Sequence, residues 1–420
     1  MRRPELFILT SHDLDEVPNS RLIHLANYFG KRWSTTVIFR KQAFGRGEPF
    51  SQRLRTFFRL EVSRFTRGGV FYWRLNPWGA RPYGLGTRLL GLKNPFLERP
   101  SPGKRLFQEF LGAVGGISDF LVVPSLLYLF SRFKPSPRRV VVAQGPYEGL
   151  CAAVLRKRGL FARFIYDDAD YEPGFAPTGA RRRFIRIVER LVMKKADQVV
   201  CVGELLAARR CKDYGLQRVE VIPNGVSYEL FSPAQEKTGQ ALIYTGYIGG
   251  WSGLELLFAA LSLLQKRGLA LELILAGHQE EVYFRNLKEL GQRLGIRYLY
   301  LGKVPYQRLP VVLKRAVCGW ALFPPIELRR YAFSLKVVEY MAAGCAVVST
   351  ADTESGLTVR RAGAGLVLPY QAEAVAEGLF KLFTERALLE GCRQKAALAA
   401  REYDWAKLLK KYESLLILKA

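Results

Sequence analysis

An α/β fold of two doubly wound domains, each a parallel sheet covered by helices, is predicted by three observations. The chain is 420 residues long, which is the size of two ordinary domains. Short apolar, β-branched runs alternate with amphipathic helical stretches in both halves, the pattern of βαβ units. A polar stretch from Asn224 to Gln240, with Pro233 and Gly239, interrupts that alternation once and serves as the predicted linker.

The elements follow in order. Leu6 to Thr10 is a first strand, Ser11 to Asn19 a loop, about Ser20 to Lys31 an amphipathic helix, and Thr35 to Phe39 a second strand. Little is assignable after that until Ala113 to Phe130, a mostly apolar stretch. Gly115, Gly116, Asp119 and Pro124 make it a core or interface-facing helix rather than a membrane span, which needs about 20 apolar residues. Val140 to Ala143 is a buried strand followed by Gln144-Gly145-Pro146 and a helix to about Arg158. Phe164 to Tyr166 is a strand, about Arg181 to Lys195 a very basic helix, and Gln198 to Val202 another strand. Beyond the linker, strands are expected near Ala241 to Thr245, Leu271 to Ala276, Tyr298 to Leu301, Trp320 to Phe323, Ala346 to Ser349 and Gly365 to Leu368, with helices between. An amphipathic helix from about Trp405 to Leu416 ends the pattern.

A hydrophobic fraction of 49% supports real cores and excludes a disordered chain. The net charge of +27 is concentrated: residues 31–110 hold 17 Lys and Arg against 4 Asp and Glu. Arginines in this segment (Arg53, Arg55, Arg59, Arg64, Arg67) mingle with Phe57, Phe58, Phe65, Phe71, Trp73 and Trp78, a composition that suits an anionic membrane surface. A solvated basic face and nucleic acid are the other readings, nucleic acid the least favoured. Six cysteines without a Cys-x-x-Cys pair, and three histidines without ligand spacing, imply a reduced, cytoplasmic chain with no structural metal. No secretory leader is visible after Arg2 and Arg3.

Chemistry concentrates in Phe333 to Thr350. Ser334 is a candidate N-cap, Gly344 a candidate helix stop, and the run from Ala346 to Thr350 a strand buried on both faces. Lys336 and Glu339 are three residues apart and share one face near the helix start. A helix N-terminus with a lysine attracts phosphate, and a glutamate beside it accepts hydrogen bonds from ribose hydroxyls. Two solvated charges on an amphipathic helix are the plainer alternative.

This stretch resembles the donor-binding segment of the GT-B glycosyltransferases, in particular the retaining family four (glycosyl transferases group 1). It matches the pattern K-x-x-E-Y-M-A-x-G-x-P-V-V except that Ala346 replaces the proline. Val221 to Val226 resembles I-P-N-G-V, and Tyr244-Thr245-Gly246 resembles the Y-x-G that opens the second domain. Leu275-Ala276-Gly277, Leu301-Gly302-Lys303-Val304 and Leu366-Val367-Leu368 resemble the family's strand ends. The resemblance implies two Rossmann-like domains facing across a cleft, with the C-terminal helix crossing back to the first. It divides the chain into residues 1–225 for the acceptor, joined by about 400–420, and 226–399 for the nucleotide sugar. It also implies transfer of a sugar from a nucleotide-diphosphate donor to an acceptor hydroxyl, with retention. No metal is expected, because the protein supplies the positive charge, and no cofactor beyond the co-substrate.

By this resemblance Gly246, Tyr247, Gly249, Gly250, Gly277, His278, Gly302, Lys303, Val304, Glu327, Ser334, Leu335, Lys336 and Glu339 line the donor site. His12, Asn19 and Gly145 face the acceptor, and Lys336, Asp13, Asp168 and Asp170 are the catalytic candidates. Two departures stand out. No arginine follows Tyr244-Thr245-Gly246 and no lysine precedes the next helix, where Trp251-Ser252-Gly253 stands. Eight residues before Glu339, where the family has its first glutamate, this chain has Tyr331; Glu327 lies four residues earlier. The donor base and sugar stay open. The basic first domain points to a lipid-linked or cell-envelope glycan precursor at the inner face of the cytoplasmic membrane. A nucleotide-sugar epimerase-like enzyme, and a non-catalytic membrane- or nucleic-acid-binding protein with a degenerate donor site, are the rival readings.

Overall fold

The computed structural model describes residues 3–12, 14, 20–40, 60–76, 119–176 and 179–417. Two compact units emerge. Among the described residues, the first holds those before Pro223 and those from Leu409 onward, and the second holds residues 223–408.

The first unit is an eight-stranded sheet with strand order β3-β4-β2-β1-β5-β6-β7-β8. Its strands are β1 (Glu5–Thr10), β2 (Ser34–Arg40), β3 (Glu61–Arg67), β4 (Val70–Asn76), β5 (Arg139–Gln144), β6 (Arg163–Asp168), β7 (Gln198–Cys201) and β8 (Glu220–Val221). All pairings are parallel except β3 with β4. That hairpin turns at Gly68 and Gly69, whose φ values of 56° and 79° suit the two-residue turn that continues the strand twist. The helices are α1 (Arg21–Gly30), α2 (Val122–Phe130), α3 (Pro146–Lys157), α4 (Gly179–Lys195) and α5 (Glu204–Tyr214). The expected helix from Ala113 to Phe130 has its ordered turns from Val122, and residues 113–118 lie outside the described set.

The second unit is a six-stranded parallel sheet with order β11-β10-β9-β12-β13-β14. Its strands are β9 (Ala241–Thr245), β10 (Leu273–Ala276), β11 (Leu299–Tyr300), β12 (Ala316–Ala321), β13 (Ala346–Thr350) and β14 (Gly365–Leu368). Numbered from its first strand, the order is 3-2-1-4-5-6, the doubly wound arrangement. In sheets of this order the ligand crevice lies beyond the strand ends where the winding reverses, a point that here falls between β9 and β12. The helices are α6 (Tyr228–Phe231), α7 (Leu254–Lys266), α8 (Glu281–Leu294), α9 (Leu309–Leu313), α10 (Glu327–Tyr331), α11 (Leu335–Ala342), α12 (Glu354–Ala362), α13 (Ala372–Thr384) and α14 (Arg386–Ala400).

Two expectations are corrected here. The fourth strand of this sheet is Ala316–Ala321 rather than Trp320 to Phe323. The Phe323 amide leaves the ladder to donate to Thr350 Oγ1 at 2.7 Å, and that hydroxyl donates back to the Phe323 carbonyl at 2.8 Å. The polar stretch expected as linker is partly structured: it contains α6 and a 3-10 turn, Ser232–Gln235.

The C-terminal helix α15 (Trp405–Leu416) joins the first unit from Leu409 onward. Its Tyr412 hydroxyl donates to Asp167 Oδ2 at 3.2 Å, and Glu413 accepts from Tyr28 and Arg32 at 3.0 and 2.7 Å.

Candidate active site

The reversal point of the second sheet gathers its chemistry from the loops after β9, β10 and β12. The end of β9 is held by Tyr340 of α11, whose hydroxyl accepts from the Thr245 amide at 2.8 Å and the Thr245 hydroxyl at 3.0 Å. Directly beyond stands Gly246, with φ 118°. Its missing side chain leaves room for Lys336: a Cβ there would sit 3.1 Å from Nζ. The loop is fastened to the loop after β10, with the Gly246 amide donating to Ala276 O at 2.8 Å, Ile248 to His278 O at 2.8 Å, and Glu280 back to Ile248 O at 2.9 Å. Gly277 approaches so closely that a Cβ would lie 1.7 Å from Gly246 O, so no other residue fits.

Lys336 enters this space from the first turn of α11. Ser334 has the extended backbone of an N-cap, but its side chain makes no capping hydrogen bond. Gly344 adopts the left-handed conformation, φ 66°, just past the helix end. The Lys336 ammonium donates to Tyr244 Oη at 3.3 Å and lies 4.4 Å from the Tyr244 ring centre and 5.0 Å from that of Phe323. Burial, then the Arg329 charge, pulls its pKa down to about 7, with Glu339 opposing. The Glu339 carboxyl, 7% exposed, is pushed up to about 7 by burial against the pull of Lys336. A buried lysine and glutamate, the lysine also repelled by Arg329, carry a desolvation cost that a bound diphosphate and ribose can offset.

Around them stands a polar and aromatic wall. Tyr247 stacks on Trp251 at 5.1 Å and lies 5.9 Å from the exposed His278 ring. Arg329 of α10 lies over the rings of Trp251 and Phe323, at 5.5 and 5.1 Å. Sequence reasoning did not name Arg329, Tyr244 or Phe323 as site residues. The doubled arginine after Pro324-Pro325 was the available signal for Arg329, while nothing local marks a tyrosine inside a strand as a cation partner. Gly249 and Gly250 are buried in the same loop. Gly302, with φ 64°, follows β11 and its carbonyl accepts from the Gly277 amide at 2.7 Å; Lys303 beside it is exposed and Val304 half-buried. Glu327 is the first residue of α10, and Leu335 the first of α11. Tyr331 is buried.

In the first unit the winding reverses between β1 and β5, and His12 and Gly145 follow those two strands. Thr10 Oγ1 donates to Gln144 Oε1 at 3.2 Å and accepts from the His12 amide at 3.1 Å. Burial lowers the His12 pKa, and Glu148 opposes that shift. Glu148, from the first turn of α3, meets Arg40 Nε at 3.0 Å, an ion pair whose angle falls short of a hydrogen bond. Burial raises the Glu148 pKa despite Arg40. Glu148 and Arg40 were not anticipated from sequence; a glutamate in the turn after Gly145-Pro146 was the available signal. Asp13 and Asn19 lie outside the described residues.

Asp168, a catalytic candidate by sequence, is occupied by an ion pair in the structure. Both its oxygens are taken by Arg210, at 2.7 and 3.1 Å, and Arg210 also meets Glu189 at 2.7 and 2.8 Å. Tyr214 donates to Glu189 at 2.7 Å, and the assembly is fully buried. Asp168 is an ion-pair anchor between β6, α4 and α5. Asp167 is likewise held by Arg21 at 2.8 Å. Asp170, half-buried, follows β6 and accepts at its carbonyl from the Glu172 amide at 3.0 Å. No group of three His, Cys, Asp or Glu side chains that could hold a metal ion occurs among the described residues.

Known proteins share this architecture. Residues 229–399 match the family model described as Glycosyl transferases group 1, and residues 113–230 match Glycosyltransferase Family 4. The chain is 27% identical over 232 residues to a phosphatidyl-myo-inositol mannosyltransferase of Mycobacterium tuberculosis, a match spanning 51% of this chain and 59% of that protein. It is 25% identical over 180 residues to the putative teichuronic acid biosynthesis glycosyltransferase TuaH of Bacillus subtilis, spanning 40% of this chain and 44% of that one. Among solved structures, a sucrose-phosphate synthase from Thermosynechococcus elongatus aligns over 98% of both chains with TM-score 0.68 and 15% identity. An alpha,alpha-trehalose 6-phosphate synthase from Burkholderia multivorans aligns over 99% of this chain and 96% of its own with TM-score 0.69 and 13% identity. The two structural likenesses carry the fold, the two family models carry the motifs from Val221 to Thr350, and the chain belongs to the group 1 glycosyltransferases of GT-B fold.

Proposed function

We propose that this chain transfers a sugar from a nucleotide-diphosphate donor to an acceptor hydroxyl, with retention and without a metal ion. The observation that carries the proposal is the Lys336 ammonium at the reversal point of the second sheet, beside Gly246 and one turn from the buried Glu339. The bond from the sugar's anomeric carbon to the diphosphate oxygen breaks and the diphosphate leaves with the electron pair. The acceptor oxygen bonds to that carbon and its proton is released to the diphosphate or to solvent. Charge accumulates on the leaving group, so cations fixed near it stabilise the transition state more than the ground state. Lys336 is the residue for that task, with Arg329 close enough to depress its pKa. Arg329 stands in for the arginine and lysine missing after Tyr244-Thr245-Gly246. Glu339 accepts from the ribose hydroxyls, and the glycine ends at Gly246 and Gly277 admit the diphosphate. Gly302, Lys303 and Val304 line the base, while Tyr247 and His278 flank the donor.

The acceptor is a lipid-linked or cell-envelope glycan precursor, and the polar cluster of His12, Glu148 and Arg40 is the acceptor-side candidate. The name of the mycobacterial relative, which specifies a phosphatidyl-myo-inositol acceptor for that protein, supports a lipid-bearing acceptor here. So does the net charge of +27, which suits a peripheral protein at the inner face of the cytoplasmic membrane. No helix among the described residues is long and apolar enough to cross a membrane. Of the basic segment 31–110, residues 41–59 and 77–110 lie outside the described set.

A panel of nucleoside diphosphates and nucleotide sugars tests the donor. The matching ligand at 100 times its dissociation constant should stabilise the fold by about 2.7 kcal/mol. Nucleoside diphosphate release should then require an added polyprenyl- or phospholipid-linked acceptor and persist in EDTA. A strict metal requirement would overturn the metal-free reading. Donor consumption without any acceptor would move the assignment to an epimerase-like reaction.

A further inference from the structure

Helix α4 carries an outer face that neither the fold nor the transfer chemistry uses. Its inner face is packed: Ile185, Val188, Val192 and Met193 are buried, and Gly149 of α3 lets Val192 approach to 2.6 Å of where a Cβ would stand. Its single acidic residue, Glu189, is buried in the ion pair with Arg210. On the outside Phe184 is 41% exposed, Ile187 60% and Leu191 49%. At 3.6 residues per turn these three fall within about 60° of one another. Arg183, Arg190 and Lys194 are exposed and form a second row, within about 40° of one another, immediately beside the apolar one. Just before α2, Phe120 is 38% exposed and its ring centre lies 6.3 Å from that of Phe184.

We propose that this face of α4 is the element that docks the protein on an anionic lipid bilayer. The inference rests on the lipid-acceptor reading above and assigns docking to a defined helix rather than to the basic segment as a whole. Charge complementarity and side-chain type select the partner together. Three fixed cations with no exposed acid on the same helix attract phospholipid headgroups. A parallel row of one aromatic and two aliphatic side chains can enter the boundary between headgroups and acyl chains while the helix lies in the surface plane. Nucleic acid would be met by the same cations and could stack on Phe184 or Phe120, but it has no use for the aliphatic Ile187 and Leu191, the more exposed members of the row. The rigid anchoring of the inner face by Arg210 keeps the outer rows in register.

Flotation with vesicles tests the assignment. Wild-type protein should bind phosphatidylcholine vesicles containing phosphatidylglycerol far more strongly than pure phosphatidylcholine, and lose that preference as salt rises. At about fivefold per basic residue, the triple change Arg183→Gln, Arg190→Gln and Lys194→Gln should weaken binding roughly 100-fold. Ile187→Ser with Leu191→Ser should weaken it at every salt concentration. Both variants should turn over donor with a water-soluble acceptor analogue at the wild-type rate, which also shows that they fold. Unchanged vesicle binding in either variant overturns the proposal, as does equal binding of wild type to the two vesicle types. Tighter binding of wild type to single-stranded RNA than to the anionic vesicles, lost in the triple variant, overturns it in favour of nucleic acid. If no variant or wild type turns over donor while vesicle binding behaves as described, the transfer reading fails, folding is checked by thermal unfolding, and the docking assignment stands.

Discussion

In the first unit Arg210 is buried between Asp168 and Glu189 with four hydrogen bonds at 2.7–3.1 Å, and Tyr214 completes the set. In the second unit Lys336 has one hydrogen bond, to Tyr244, and Glu339 is opposed to burial only by the lysine's field. Both regions bury charge beside the ends of parallel strands. In one, the chain meets each charge with paired hydrogen bonds; in the other it supplies only the field between Lys336 and Glu339 and leaves glycines where side chains would block approach. A saturated buried charge is a fastening, whereas an unsaturated one at the reversal of a doubly wound sheet is a seat for a ligand.

Stability separates the two most sharply. Arg210→Leu leaves Asp168 and Glu189 buried without a cation and should cost about 3–5 kcal/mol in denaturant unfolding. Lys336→Met with Glu339→Met puts apolar side chains in place of a pair whose desolvation is only partly recovered, so it should be neutral or stabilise by about 1–4 kcal/mol. Equal losses at the two places would erase the distinction.

Binding gives the next largest effect. Glu339→Ala should weaken nucleoside diphosphate binding by about 1.5–3 kcal/mol, as loss of a charged acceptor does. In turnover assays Lys336→Ala should lower kcat/KM at least tenfold, about 1.4 kcal/mol. Full activity in a folded Lys336→Ala protein would return this lysine to a packing role.

The pH dependence is the finest comparison. Lys336 titrates near 7 in the free protein, so above pH 7 its ammonium is progressively lost; a bound diphosphate favours the ammonium, and affinity falls as pH rises. Glu339 also titrates near 7, so below pH 7 its carboxylate is lost, and affinity falls as pH drops. Nucleoside diphosphate affinity should therefore peak near pH 7, and Glu339→Gln should flatten only the acid limb. For stability the signs differ. The unfolded chain keeps the Lys336 proton to about 10.5, so its burial penalty is present below pH 7 and fades between 7 and 10.5.

The same contrast explains what sequence could and could not convey. The helix, Gly344 stop and buried strand from Leu335 to Thr350 are local code, and their pattern also named Lys336 and Glu339. Asp168 could not be assigned that way, because Arg210 is 42 positions away and only the fold brings it to the carboxylate. Tyr244 is 92 positions from Lys336 for the same reason. The end of β12 was ambiguous because Ala316 to Phe323 is apolar throughout, and the Thr350 hydroxyl that draws Phe323 off the ladder lies in another strand. The β3-β4 hairpin was legible in Gly68-Gly69 between alternating residues, yet the surrounding basic, aromatic composition concealed it.

Calorimetric titration of a nucleoside diphosphate at pH 8, in two buffers of different ionisation enthalpy, addresses the central claim most directly. Wild type should bind with net proton uptake as the Lys336 amine is recharged, and Lys336→Met should lose both that uptake and most of the affinity. Equal affinity in the two proteins, with no proton taken up by either, would contradict the assignment of Lys336 as the seat of the diphosphate.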